Sequence, residues 1–371
     1  MTAMSSLSER ISGQTLVPNV SALQILLRGV GTALPALRVS QAELQPRIAD
    51  AMRLSRAARS RWSRICESSG ISFRHGVVPL EDVVHLTTAQ RMRLYEQHAP
   101  GLALEAARAA LRAAKTAPSA ITDLIVVSCT GFSAPGVDID LVEALGLRRD
   151  VRRTMISFMG CFGAINGLRA AIGACAADRF AVALVVCIEL CSLHLRPDDD
   201  AQNLVASALF ADGAAAAVVA SDGAGADSDR EAVGMIQLGR GFVFPHGRDW
   251  MSWRITDHGF AMTLSREIPV ALQAQIACFV DDSCPNPPRT FLVHPGGPGI
   301  LDAVDAALKL RGGQGLQHAQ AVLSRCGNMS SGTVLFVLAD ALRNDCPLPA
   351  LLLAFGPGLT IESMTLAPRS M

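Results

Sequence analysis

Residues 1 to 21 are polar and carry no clear periodicity, so they read as an N-terminal tail. From residue 22 onward, short unbroken apolar runs alternate with alanine-rich stretches of helical spacing. Ile121–Cys129 predicts a helix exit followed by a buried strand, Val182–Ile188 a second strand and Phe291–Val293 a third. Leu102–Ala114 and Leu168–Ala176 predict helices between them. Strands that are apolar at every position belong in sheets covered on both faces. Alternating with helices, they predict an α/β layered architecture. Ser221–Ala232 is polar and glycine-containing, which marks it as the junction between two halves, 22–222 and 223–371.

The length of 371 residues exceeds one ordinary core, so two domains or one duplicated domain is expected. Half the residues are hydrophobic and the net charge is zero, with no long basic run. That balance gives no footing for nucleic-acid binding. The ten cysteines are scattered, several inside apolar runs, and none forms a CxxC pair. A structural metal site is therefore not expected, and the thiols read as small buried hydrophobes. The N-terminus lacks a basic region followed by an apolar stretch. The longest apolar run, Phe180–Leu190, contains Glu189 and falls short of the roughly 20 residues a spanning helix needs. These features predict a soluble cytoplasmic protein of a reducing compartment, without a membrane span.

Three residues concentrate the chemistry. Cys161 stands in Met159-Gly160-Cys161-Phe162-Gly163, where an extended segment gives way to a helical pattern. A sulfur at a helix N-terminus meets unpaired N–H groups and the positive end of the macrodipole, which favour a thiolate. His294, in Val293-His294-Pro295-Gly296-Gly297-Pro298, can act as its base. Asn328, in Gly327-Asn328-Met329-Ser330-Ser331, offers a neutral N–H donor for an oxyanion. Papain-like proteases present Cys, His and Asn in the same order, but their signature around the cysteine is absent. Each residue also has a plain structural reading: a buried thiol, a strand-ending histidine, a turn asparagine.

The longer motifs decide between these readings. Val293–Leu301 resembles the histidine motif of the type III polyketide synthases, the chalcone and stilbene synthase family. Gly327–Ser331 resembles that family's asparagine motif, Phe355-Gly356-Pro357-Gly358-Leu359-Thr360 its C-terminal glycine loop, and Ala208–Ala216 its phenylalanine motif. The resemblance covers nearly the whole chain. It implies a thiolase fold, α/β, with two similar αβαβα halves forming a five-layered core, and a homodimer with a CoA tunnel leading to a buried cysteine. It also implies that acyl-CoA and malonyl-CoA are substrates, that no cofactor is used, and that Cys161, His294 and Asn328 are catalytic.

Phe210 corresponds to one of two gatekeeping phenylalanines, and Met262 stands at the second. Methionine is flexible and can reshape around a longer acyl group. Cys129, Thr130, Cys191, His194, Trp253 and Ser330 align with cavity-lining positions, as does Phe355 in the glycine loop. Ala134 stands where family members place a methionine that reaches the partner's cavity. Arg61 and Arg64 match positions that bind CoA phosphates, a task suited to guanidinium forks, but a third basic position is Ser68. Gly296 and Gly297 complete the expected CoA-binding set.

Small Ala134 with Met262 makes room for an alkyl chain, while Trp253 narrows one wall. Few hydroxyls line the cavity to recognise a phenolic starter. The resemblance therefore points first to an aliphatic acyl-CoA starter and an alkylresorcinol or alkylpyrone product. Cys129 is also compatible with malonyl-only naphthalene-type synthases. Two rivals stand beside these: a ketoacyl-carrier-protein synthase III, and an inactive thiolase-fold scaffold. The phenylalanine and glycine-loop motifs speak against the first, and the intact triad against the second.

Overall fold

Strand pairing repeats itself along the chain. A computed structural model describes residues 23–224, 232–284, 287–309 and 315–369; the predicted tail and residues 225–231 of the predicted junction lie outside the described residues. The first half runs β1 (Ile25–Ala33), β2 (Leu37–Ser40), α1 (Gln41–Ala51), α2 (Arg56–Ser68), β3 (Phe73–Gly76), α3 (Thr88–Ala113), β4 (Asp123–Ser128), α4 (Val137–Leu145), β5 (Arg152–Ser157), α5 (Gly163–Ala177), β6 (Val182–Leu190), α6 (Ala201–Leu209) and β7 (Asp212–Ser221). The second runs β8 (Gly234–Val243), β9 (Met251–Thr256), β10 (Gly259–Leu264), α7 (Glu267–Ser283), β11 (Thr290–Val293), α8 (Pro298–Leu308), α9 (Gln317–Cys326), α10 (Thr333–Arg343), β12 (Ala350–Gly356) and β13 (Thr360–Ala367).

In the first half β1 pairs antiparallel with β7, β7 antiparallel with β6, and β6 parallel with β4. In the second, β8, β13, β12 and β11 repeat that sequence of senses. Strand β5 adds one parallel edge strand to the first half. The halves join where β1 pairs with β8 through Leu26↔Met235 and Leu27↔Gly234, giving one nine-stranded sheet.

Helices α5 and α10 form the middle layer. α5 packs on β4, β6 and β7 and reaches β8 and β13, while α10 packs on β11 and β12 and reaches β1 and β7. α3 covers the outer face of β1, β6 and β7, and α7 with α8 lies against the second half. This is the duplicated αβαβα architecture that the resemblance implies.

Composition explains the close layering. Every residue of β6 and β7 is buried, and β7 is mostly alanine and valine. Small side chains let helices approach the sheet closely. At Gly31 a Cβ would sit 2.2 Å from the amide nitrogen of Ala110, so α3 lies directly on the β1 backbone. α3 begins well before the predicted Leu102, because Pro100-Gly101 reads in sequence as a stop. The helix runs through both residues, which costs about 3 kcal/mol for an interior proline. Its Thr87/Gln90 capping box and its buried face from Ala99 to Leu111 offset that cost.

Among the described residues one segment, Gly160–Ala177, is long and apolar enough to cross a membrane by length and composition. It is the α5 segment of the middle layer, more than half buried inside the fold.

Candidate active site

Cys161 lies in a single 3-10 turn, Gly160–Phe162, that runs directly into α5. The chain reaches it through two left-handed residues, Phe158 at φ 57° and Gly160 at φ 80°. A Cβ on Gly160 would sit 2.2 Å from Cδ of Pro357, and one on Gly356 would sit 2.6 Å from the Phe162 ring. The C-terminal glycine loop therefore backs the nucleophile turn, and its glycines are required by contact. His294 follows β11 immediately, and its backbone N–H donates to the Leu353 carbonyl of β12 at 2.8 Å. Asn328 follows α9 and shares a parallel bridge with Phe210: its N–H donates to Leu209 O, and its carbonyl accepts from Ala211 N–H, both at 2.9 Å. One backbone link thus fixes both the asparagine and the phenylalanine beside the cavity.

All three side chains are buried. Ser330 Oγ lies 3.8 Å from Cys161 Sγ. The Asn328 carbonyl oxygen accepts from Ser330 N–H at 2.9 Å, which turns its amino group away from that contact. The amino group makes a long 3.5 Å bond to Gly296 O and is close enough to Cys161 to favour its thiolate, so donor capacity remains for a ligand. Both ring nitrogens of His294 are buried without a partner among the described residues. An orphaned imidazole at the end of a cavity is costly unless a substrate completes it.

Burial pushes the Cys161 thiol up to about 12 and the His294 imidazolium down to about 3. The helix start expected to hold a thiolate does not suffice, because lost solvation outweighs it; hydrogen bonds from Ser330 and Asn328 oppose the shift only in part. Each shift is the cost of a lone charge. A proton passed from Cys161 to His294 creates an ion pair instead, so charge separation here depends on the two acting together.

A cavity of about 900 Å³ runs to these residues from the surface. Cys161, His294, Asn328, Phe210, Met262, Phe355, Gly296, Gly297, Arg61 and Arg64 all line it. Ser68 and Arg266 line it too. Cys191, His194 and Trp253 lie behind Phe210 and Met262, around a second void of only about 20 Å³. The His194 ring stacks on Phe260 at 3.9 Å, Trp253 meets both edge-on, and Phe210 lies 5.9 Å from Trp253. The Trp253 indole N–H donates to Cys129 O at 3.1 Å. Trp253 and Met262 are direct cross-strand partners in the β9–β10 hairpin, so one register sets both walls.

Three expected lining residues, Cys129, Thr130 and Ser330, line neither cavity, although Ser330 stays beside Cys161. The Cys129 thiol packs behind the nucleophile turn and accepts from Gly160 N–H at 3.1 Å. The Thr130 hydroxyl is used by the Glu189 carboxylate at 2.7 Å and by Leu190 N–H at 2.9 Å. Ala134, expected at a position that reaches the partner's cavity, is exposed on the loop before α4.

Glu189 was legible only as a charge inside an apolar run. In the fold it is fully buried, and it accepts from Cys129 N–H, Thr130 Oγ1 and Ser331 Oγ. Burial holds its carboxyl up at about 7. It ties the ends of β4 and β6 to the turn that carries Ser330. A lone acid in an otherwise buried strand is the signal that marks such a residue.

Two sequence profiles match the chain: chalcone and stilbene synthases, N-terminal domain, over residues 19–223, and the C-terminal domain over residues 236–370. A 1,3,6,8-tetrahydroxynaphthalene synthase of Streptomyces peucetius subsp. caesius is 34% identical over 349 residues, covering 91% of each chain. An alpha-pyrone synthesis polyketide synthase-like protein of Mycobacterium tuberculosis is 31% identical over 358 residues, covering 91% of this chain and 90% of that one. The crystal structure of PKS-I from the brown alga Ectocarpus siliculosus superposes with a TM-score of 0.85 at 27% identity, over 95% of this chain and 100% of that one.

Proposed function

The chain belongs to the chalcone and stilbene synthase family and is a type III polyketide synthase, an acyl-transferring enzyme, and on that premise we propose that Cys161 carries the growing acyl chain. His294 takes the thiol proton as Cys161 attacks the starter thioester, and returns it to the departing CoA thiolate. Malonyl-CoA then loses carbon dioxide, and its enolate oxygen is held by N–H donors of His294 and Asn328. The enolate carbon attacks the acyl-cysteine thioester, and the Cys161 sulfur leaves. A neutral imidazole suits this role, since the burial that keeps His294 uncharged leaves it an N–H donor. One such donor is worth about 3 kcal/mol of transition-state stabilisation. The observation that carries the reading is the convergence of Cys161, His294 and Asn328 at the end of one cavity.

The ketide is short and built from malonyl units. The stacked His194, Phe260 and Trp253 rings leave only about 20 Å³ behind Phe210, which supports a small starter and a compact aromatic product. The naphthalene synthase among the relatives supports the same reading. A second reading, an aliphatic acyl-CoA starter closing to an alkylresorcinol or alkylpyrone, draws support from the apolar walls of the larger cavity, among them Val205, Leu209, Leu264 and Ile268, and from the alpha-pyrone relative. The working unit is a homodimer. Strand β5 is an exposed sheet edge that carries Met155 at 43% exposure, and with Phe132 at 49% on the loop after β4 it presents a face that a second copy would cover. All ten cysteines are unpaired, which supports a reducing, cytoplasmic setting.

Incubation with malonyl-CoA alone, and with a panel of acyl-CoA starters, followed by mass spectrometry, tests the reading. Product from malonyl-CoA alone is expected, and Cys161→Ala abolishes it. Product surviving in that variant would refute the mechanism. Alkyl products formed only when an acyl-CoA is added would favour the second reading.

A further inference from the structure

Resting on the reading of CoA thioesters as substrates, we propose that Arg266, which lines the same cavity from the start of α7, supplies the phosphate-binding arm that Ser68 cannot. Arg61, Arg64 and Ser68 face the cavity from α2, while Ser265, Arg266, Ile268 and Pro269 face it from the start of α7. The charges at this mouth are not equivalent. Arg61 is already engaged, its Nη2 donating to Asp199 O at 3.3 Å with the Asp199 carboxylate 4.0 Å away. Arg64 and Arg266 are exposed, line the cavity, and make no ion pair within 4 Å to any described residue.

Asp200 lines the same cavity and caps α6, accepting from Gln202 N–H at 2.9 Å and Asn203 N–H at 3.4 Å, and it makes no ion pair within 4 Å with Arg64 or Arg266. The Glu267 N–H at the start of α7 donates to Ser265 Oγ at 3.1 Å, so the proposed anion contact there is made by the Arg266 guanidinium. Two guanidinium groups without ion pairs, one on α2 and one at the start of α7, suit a ligand that bears both a diphosphate and a separate phosphate monoester, as CoA does. The clamp thus draws on two elements instead of one helix, and the charge missing at Ser68 is supplied by Arg266.

The test compares malonyl-CoA with malonyl-N-acetylcysteamine thioester, which keeps the thioester and lacks every phosphate. In Arg266→Ala the ratio of kcat/KM for malonyl-CoA to that for the truncated thioester falls about tenfold, the worth of roughly one charge-assisted contact at an exposed site. The fall lies in KM and lessens as salt rises. Arg266→Lys recovers part of the ratio, and Ser68→Lys in the Arg266→Ala background recovers it from α2. An unchanged ratio in Arg266→Ala, or an equal loss on both thioesters, overturns the role of Arg266 while leaving the synthase reading intact. A wild-type protein that forms no ketide from either thioester removes that reading and this proposal with it.

Discussion

Replacing His294 with alanine should change how Cys161 ionises more than where it sits. In the wild-type site the thiol is pushed up to about 12 by burial when it ionises alone. At pH 8 a thiol titrating at that value is thiolate in only about one molecule in 10⁴, against roughly one in ten for a thiol at the ordinary 9.0. With His294 present, the imidazole accepts the proton as the sulfur attacks, so reaction does not wait for a lone thiolate in the dry site. Without it, iodoacetamide must wait for the lone thiolate. The His294→Ala variant is therefore expected to alkylate at Cys161 about 10³-fold more slowly than an exposed thiol at pH 8. Its rate should rise about tenfold per pH unit to pH 10 without levelling. The wild type should label faster, with a shallower pH profile. The assay is peptide mass spectrometry of Cys161 over time at several pH values. Two outcomes refute the reasoning: a variant with the wild-type rate and profile, or a wild type that itself rises tenfold per unit up to pH 10.

Four further outcomes follow. Gly160→Ala places a Cβ 2.2 Å from Pro357 on a residue at φ 80°, so urea denaturation should show a loss of about 2 kcal/mol or more, and activity should fall with the displaced Cys161 turn. Glu189 binds its proton more tightly folded, at about 7, than at the ordinary 4.5, so it withdraws stability as pH rises between those values. That fall is about 3 kcal/mol for a shift of this size, and Glu189→Gln should remove it from the pH dependence of unfolding, while Asp212, held up at about 6, keeps a smaller fall of the same sign. Trp253→Ala should open the space behind Phe210 and lengthen the ketides seen by mass spectrometry; a folded variant with an unchanged product spectrum would contradict the packed-wall argument. Met155→Glu on the exposed edge strand should yield a monomer by light scattering, and an unshifted mass would place the dimer contact elsewhere.

The elements that sequence patterning resolves are those whose environment is uniform along their length. Val182–Ile188 reads as a buried strand because both faces of β6 are covered, and apolarity alone reports that. The hairpin β9–β10 is invisible by the same rule. It is half-buried and carries mixed residues such as Arg254, Ile255 and Thr256, so neither the strand nor the helix period emerges. The length of α3 was hidden for a different reason. Pro100-Gly101 is a local stop signal, overridden by tertiary burial of the flanking alanines. Local propensity is a weak prior there, and the sheet decides.

The site divides along the same line. Residues fixed by backbone geometry of their own were readable: the glycines around Cys161, the turn after His294, and the Gly327–Asn328 step carry their constraints in the sequence. Residues whose role comes from what packs against them were not. Met262 reads as a flexible residue that could enlarge the cavity. In the fold its cross-strand partner is Trp253, whose ring meets the stacked His194 and Phe260 and whose indole N–H is anchored on Cys129 O. Any room methionine gives up on one strand is occupied by the indole on the next. A change at either position therefore acts through the pair, and Met262→Phe with Trp253→Gly should depart from the sum of the two single changes in product length, because each vacates or fills the same space. Additive single effects would mean that the two walls bound separate volumes, and that the narrow void behind Phe210 is not what limits the ketide.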